Sequence, residues 1–181
     1  MFKRFWGVWF MRWLTIVLVA ALCTLGFAAS GRAAPDLPPL SGPVILTVNG
    51  LDPEKFSGGV VLFDLTRLMA LGVTQLRTGT IWTDRAHDFT GCRMKDIVDY
   101  LGLTGGTIKA LALNDYAVEI PVSDAVSDGP ILAYAMDGAT MSVRDKGPLW
   151  IVYPFDDKPE YRSEVIYTRA IWQLERFEVI R

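Results

Sequence analysis

Histidine and cysteine are nearly absent from these 181 residues: there is one histidine, His87, and there are two cysteines, Cys23 and Cys92. That supply argues against a zinc or haem site built from Cys and His, and no protein metal site is assigned. Cys23 lies in the amino-terminal apolar run, so Cys92 alone remains once that run is removed, and no internal disulfide can form. Basic residues are also short. Without Lys3, Arg4, Arg12 and Arg32, the 18 Lys and Arg fall to 14 against 20 Asp and Glu, a net of about −6. Such a balance excludes nucleic acid, which needs a basic footprint. Internal repeats and low-complexity runs are missing as well.

Residues 1–34 read as an export signal. Lys3, Arg4 and Arg12 give a positive start, residues 13–29 are apolar, and small residues surround an expected cleavage near Ala33 or Ala34. An uncleaved anchor is the alternative, because the run is slightly short of a membrane span. No Arg-Arg pair precedes the run, as a twin-arginine signal for folded cargo requires, and Leu22 stands where a lipoprotein signal wants a small residue. The expectation is a periplasmic or secreted protein that crosses unfolded and leaves the membrane after cleavage. About 147 residues then remain, enough for one core.

Residues 35–43 are proline-rich and read as an extended leader, with a single domain over 44–181. Alternation over 44–48, stopped by Asn49-Gly50, predicts a strand. Residues 63–71 predict a helix ending at Gly72, and Met94, Ile97, Val98 and Leu101 predict a second ending at Gly102. Residues 73–82 look extended and 84–88 form a polar loop. Strands are expected over 107–113, 116–121, 131–135 and 149–153, joined by turns at Asn114-Asp115, Asp128-Gly129-Pro130, Asp137-Gly138 and Lys146-Gly147-Pro148. The stretch 166–179 reads as one long strand or two shorter pieces. Short helices among several strands make an α+β domain.

Four local patterns occur in order along this domain: Phe89-Thr90-Gly91 before the Met94 helix, Asn114-Asp115-Tyr116 followed by Ile120-Pro121, Asp137-Gly138 with Met141, and Gly147-Pro148-Leu149 running to Pro154. In this order they resemble the molybdopterin-binding domain of the sulfite oxidase family, specifically its small exported members. The resemblance implies a sulfite oxidase-type fold of mixed strands and a few short helices, from about Val44 to Val179. In catalytic members of that family a cysteine thiolate binds molybdenum, after an arginine and shortly before a tryptophan. Here Arg77 and Trp82 match, and Thr78 stands at the cysteine position. A hard, barely acidic hydroxyl does not replace a soft thiolate. Trp150 also stands where the family tends to place an arginine after the Gly-Pro pair, although Arg144, Lys146, Arg162 and Arg169 are near in sequence to serve an anionic tail.

Carried onto this chain, the cofactor cleft would be lined by Arg77, Thr78, Thr80, Trp82, Asn114, Asp115, Tyr116, Asp137 and Arg144. Turn and strand chemistry alone also accounts for most of these residue types. Cys92, expected at the start of the helix, is the one thiol available to stand in as a catalytic or metal-binding group, and a buried, inert core cysteine is the plainer reading. His87 has no companion nucleophile in the sequence, and Asp156-Asp157 with Glu160 lacks the spacing of a calcium loop. Trp150 and Trp172 read as core. The resulting expectation is an exported module that binds a small polar ligand or a periplasmic or membrane partner protein, without a cofactor. A molybdopterin oxidoreductase with atypical ligation, with Thr78, Cys92 or solvent completing the metal sphere, is the alternative.

Overall fold

Two five-stranded sheets and three short helices make up the computed structural model, which describes residues 36–180. The expected export signal lies outside the described residues. In the first sheet β1 (Leu46–Asn49) runs parallel to β10 (Leu174–Ile180) and antiparallel to β2 (Val61–Phe63). On the other side of β10 comes β5 (Thr107–Ala112), which forms a hairpin with β6 (Ala117–Pro121). The second sheet is antiparallel: β3 (Thr74–Thr78), β4 (His87–Arg93) and β7 (Ile131–Met136) pair in that order. The two-residue β8 (Ala139–Thr140) and β9 (Trp150–Val152) both pair with β7. This is the α+β architecture expected from the pattern of elements.

Helix α1 (Leu65–Leu71) starts at Asp64, whose side chain accepts a hydrogen bond from Arg67 N at 2.9 Å, an N-cap. The same buried carboxylate accepts from Ser41 N at 2.6 Å and Gly42 N at 2.9 Å, and these backbone donors hold its pKa down at about 2. Arg67 Nε donates to Pro38 O at 2.8 Å. The expected proline-rich leader, where described, is therefore fastened to α1. Helix α2 (Met94–Tyr100) buries Met94, Ile97 and Val98 at the predicted spacing and is followed by Gly102 with φ +66°.

Three elements depart from the sequence expectation. Val61–Phe63 is a strand, so α1 begins two residues later than predicted. Much of the expected polar loop and helix lead-in is β4, whose alternation is broken by an irregular register between Thr90 and Gly91. A Cβ on Gly91 would come within 2.2 Å of Leu132 O, so β4 and β7 approach too closely there for any larger residue. Finally, the stretch expected to be extended from Ile166 contains helix α3 (Glu164–Arg169), capped by Ser163, whose hydroxyl accepts from Ile166 N. The β-branched and aromatic residues of Val165-Ile166-Tyr167-Thr168 favour strand, and the cap together with tertiary packing overrides that preference.

Strand β7 is buried on both faces, which is why it reads as an unbroken apolar run. Leu132 and Tyr134 join the main core with Leu46, Phe63, Leu68, Ile97 and Phe177. Ile131 and Ala133 face a second cluster with Phe89, Met141, Trp150 and Val152. Trp82 and Trp172 pack against the rim of that second cluster and lead from the core to the site.

Candidate functional site

Strand β3 ends at Thr78, and residues 79–86 form the connection to β4. Thr78 is fully buried. Its Oγ1 accepts from Asp156 N at 3.1 Å and donates to Gly79 O at 3.1 Å, while Gly79 N donates to Asp156 Oδ2 at 2.6 Å. These bonds clasp the end of β3 to the segment after β9. The Thr78 hydroxyl is thus engaged by the chain's own backbone.

The next turn presents Trp82. Thr80 Oγ1 accepts from Trp82 N at 3.2 Å, and Thr83 Oγ1 accepts from Thr80 N at 3.1 Å, so two threonines build the bend by side-chain to backbone bonds. Trp82 then packs edge-on against three rings, with centroids 4.9 Å from Trp172, 6.2 Å from Tyr167 and 6.3 Å from Trp150. Beneath them Trp150 is fully buried, as expected, and its indole N–H donates to Ala170 O at 3.1 Å. Trp172, expected in the core, is only partly buried and borders the cleft.

Three elements enclose a cleft of about 600 Å³: the Trp82 turn, the β5–β6 hairpin, and α3 with the residues after it. Trp82, Tyr116, Tyr167 and Trp172 supply aromatic surface, Asn114 an amide and Glu164 a carboxylate. Asn114 Oδ1 accepts from Tyr116 N at 3.2 Å, which shapes the hairpin turn that Asp115 closes with φ +65°. A second, more polar hollow of about 370 Å³ lies on the other side of Ile81 and Tyr167, between Thr80, Asp84, Arg85, Asp156 and Arg162.

Of the residues assigned from sequence, Trp82, Asn114 and Tyr116 meet in the cleft and Thr80 lines the adjoining hollow. The others stand elsewhere. Arg77 forms an exposed cross-strand pair with Asp88, 3.0 Å apart. Asp115 is an exposed turn residue, and Arg144 is exposed on a short turn at Val143–Asp145. Asp137 sits in the β7–β8 turn, with φ +50° followed by Gly138 at +81°, the geometry of a tight hairpin.

Asp137 organises a cluster that the sequence did not reveal. Its Oδ2 lies 2.8 Å from both His87 Nδ1 and Arg85, and its Oδ1 accepts from Asp88 N at 3.0 Å. The backbone donor and the His87 contact hold its pKa down at about 2. His87, alone in the sequence, therefore has a companion fifty residues away, and Asp84 stands 3.5 Å from its Nε2.

Cys92 lies within β4, in the core, and not at a helix start. Burial pushes its thiol up to about 12, so the thiolate is scarce at neutral pH. Two of the bases near in sequence to the Gly-Pro pair are committed inside the fold: Arg169 to Asp124 at 2.9 Å, and Arg162 to Phe155 O at 2.6 Å. Tyr153 donates to the same Asp124 carboxylate at 3.0 Å, and burial beside that carboxylate raises its own pKa.

Glu164, Tyr167 and Trp172 were not identified as cleft residues from the sequence: Tyr167 lies in a stretch that reads as extended, Trp172 reads as core, and Glu164 precedes that stretch. The Ser163-Glu164 pair, a capping residue followed by an acid, is the signal that pointed to a helix there.

No protein-family model matches the sequence, and no curated protein matches it either. Among solved structures the chain is similar to the sulfane dehydrogenase SoxCD from Paracoccus pantotrophus, with 17% identity over 74% of this chain and a TM-score of 0.49. The match spans 37% of that longer protein.

Proposed function

We propose that this chain is an exported ligand-binding module on a sulfite oxidase-like α+β scaffold, and that it works without molybdenum chemistry. The observation that carries this reading is the state of Thr78. A metal-binding oxygen must face the cofactor and give up its proton, and this one is a buried hydroxyl that donates its proton to Gly79 O and accepts from Asp156 N. The donor set around it does not fit a molybdenum centre. Cys92, the one thiol among the described residues, is sealed in the core with a raised pKa. The bases that would meet an anionic pterin phosphate are partly spent on internal carboxylates and carbonyls.

What the cleft does offer is aromatic surface with a few polar groups, the usual make-up of a small-molecule site. Its walls favour a ligand with an apolar body, a shift from the small polar ligand expected from the sequence. Of the two threonines expected as ligand contacts, Thr78 clasps the end of β3 to Asp156 and Thr80 holds the Trp82 turn in place.

The test is molybdenum and pterin analysis of mature protein purified from the periplasm of a host that makes the cofactor. Metal and pterin far below one per chain are expected, in a sample whose circular dichroism reports folded protein. Stoichiometric molybdenum retained through gel filtration refutes the reading. The intact mass of the same sample checks export, with cleavage expected after Ala33 or Ala34.

A further inference from the structure

We infer that the aromatic cleft takes a small organic cation, an ammonium or trimethylammonium group on a short apolar body; this rests on the reading of the cleft as a ligand site. The charge of the lining decides the sign. Glu164 is an acid at the cleft and no lysine or arginine lines it. The neighbouring bases are occupied: Arg169 pairs with Asp124, Arg162 bonds Phe155 O, and Lys146 stands 5.7 Å over the buried Trp150 ring. An anion entering here would meet π faces and a carboxylate, both repulsive.

Ring geometry points the same way. Trp82 packs edge-to-face with Tyr167 at 84° and with Trp172 at 69°, so the three rings that line the cleft stand at steep angles to one another. Steeply crossed rings are how proteins enclose alkylammonium groups, since each ring's negative face attracts the charge while its carbon surface accepts the alkyl groups. Glu164 also answers the positive end of the short helix α3, which leaves the rings as the larger share of the attraction.

The inference is tested by titrating the mature protein at low salt with choline, with its neutral carbon isostere 3,3-dimethylbutan-1-ol, and with benzoate, followed by calorimetry and tryptophan fluorescence. Choline is expected to bind saturably at one site, the isostere about tenfold more weakly, and benzoate not at all. Glu164→Gln, at an exposed position, is expected to weaken choline several-fold and leave the isostere unchanged. Trp82→Ala weakens both. Equal binding of choline and its isostere, or a preference for benzoate, overturns the cation and leaves the ligand cleft standing. No response to any of the three in folded protein removes the cleft reading as well.

Discussion

Replacing Thr78 with valine keeps the outline of the side chain and removes only the hydroxyl. In the native structure that hydroxyl accepts from Asp156 N and donates to Gly79 O, both at 3.1 Å, inside a fully buried residue. Valine cannot replace either bond, so the Asp156 N–H and the Gly79 carbonyl lose their partner. A buried group left unpaired costs about 1–3 kcal/mol, and because Asp156 lies at the surface, where water reaches it, the lower half of that range applies. The added methyl group returns less than about 1 kcal/mol of burial. The net expectation is a loss of about 1 kcal/mol, which for a domain of this length lowers Tm by about 2–4 °C.

Thermal unfolding followed by circular dichroism, together with urea midpoints, measures this directly. Thr78→Ser, which retains the hydroxyl, should recover most of the loss. A Thr78→Val protein as stable as the parent, or more so, would refute the reasoning, because it would mean that Oγ1 is not part of the clasp and is free to meet a ligand. Thr78→Cys adds a sharper contrast. If the clasp dominates, a thiol there packs poorly and binds no molybdenum even in a host that makes the cofactor.

Two further outcomes follow from the pKa directions. Cys92, pushed up to about 12 by burial, should resist iodoacetamide at pH 8 in the native protein and react only as fast as the domain unfolds; rapid native labelling, read by mass spectrometry, would contradict its position in the core. Asp137, held down at about 2, is charged and bonded in the folded state over a range where the unfolded carboxyl already takes up a proton. Its contribution is therefore complete above about pH 4 and fades as pH falls towards 2, so the Tm difference between the parent and Asp137→Asn should shrink across that interval. A difference that stays constant would show that its bonds to His87 and Asp88 N do not depend on charge.

How much was legible in the sequence varied with the kind of signal. Helix α2 was placed by four apolar residues at one period, and the hairpin turns by Asn-Asp and Asp-Gly pairs whose backbone preferences are strong. Strand β4 was missed because a close approach at Gly91 interrupts its alternation, and the reason lies in Leu132 O, forty residues away in sequence. Helix α3 was missed because its β-branched and aromatic residues favour strand locally, while its stability comes from the Ser163 cap and from packing. The cleft inherited the second error, because α3 forms one of its walls. Trp82, Asn114 and Tyr116 were found through the resemblance, whereas Glu164 and Tyr167 belong to the missed helix and Trp172 was read as core. The His87–Asp137 pair was invisible because nothing local links residues fifty apart.

The patterns that carry the resemblance are themselves backbone devices. Asp115 and Asp137 adopt left-handed conformations in tight turns, Gly91 sits against Leu132 O, and a Cβ on Gly147 would fall 1.9 Å from Met141 O. Each residue type is demanded by where the chain must bend or where two segments touch, and none of these demands involves a cofactor. Such positions can persist in a scaffold whose chemistry has changed, because altering them would unfold it. The positions that would carry the chemistry are free of that constraint. Thr78 is a hydroxyl turned inward, Trp150 is core, and Glu164 brings an acid to the cleft. The resemblance and the proposed change of ligand are therefore compatible: one is written in residues that shape the chain, the other in residues that face the space it encloses.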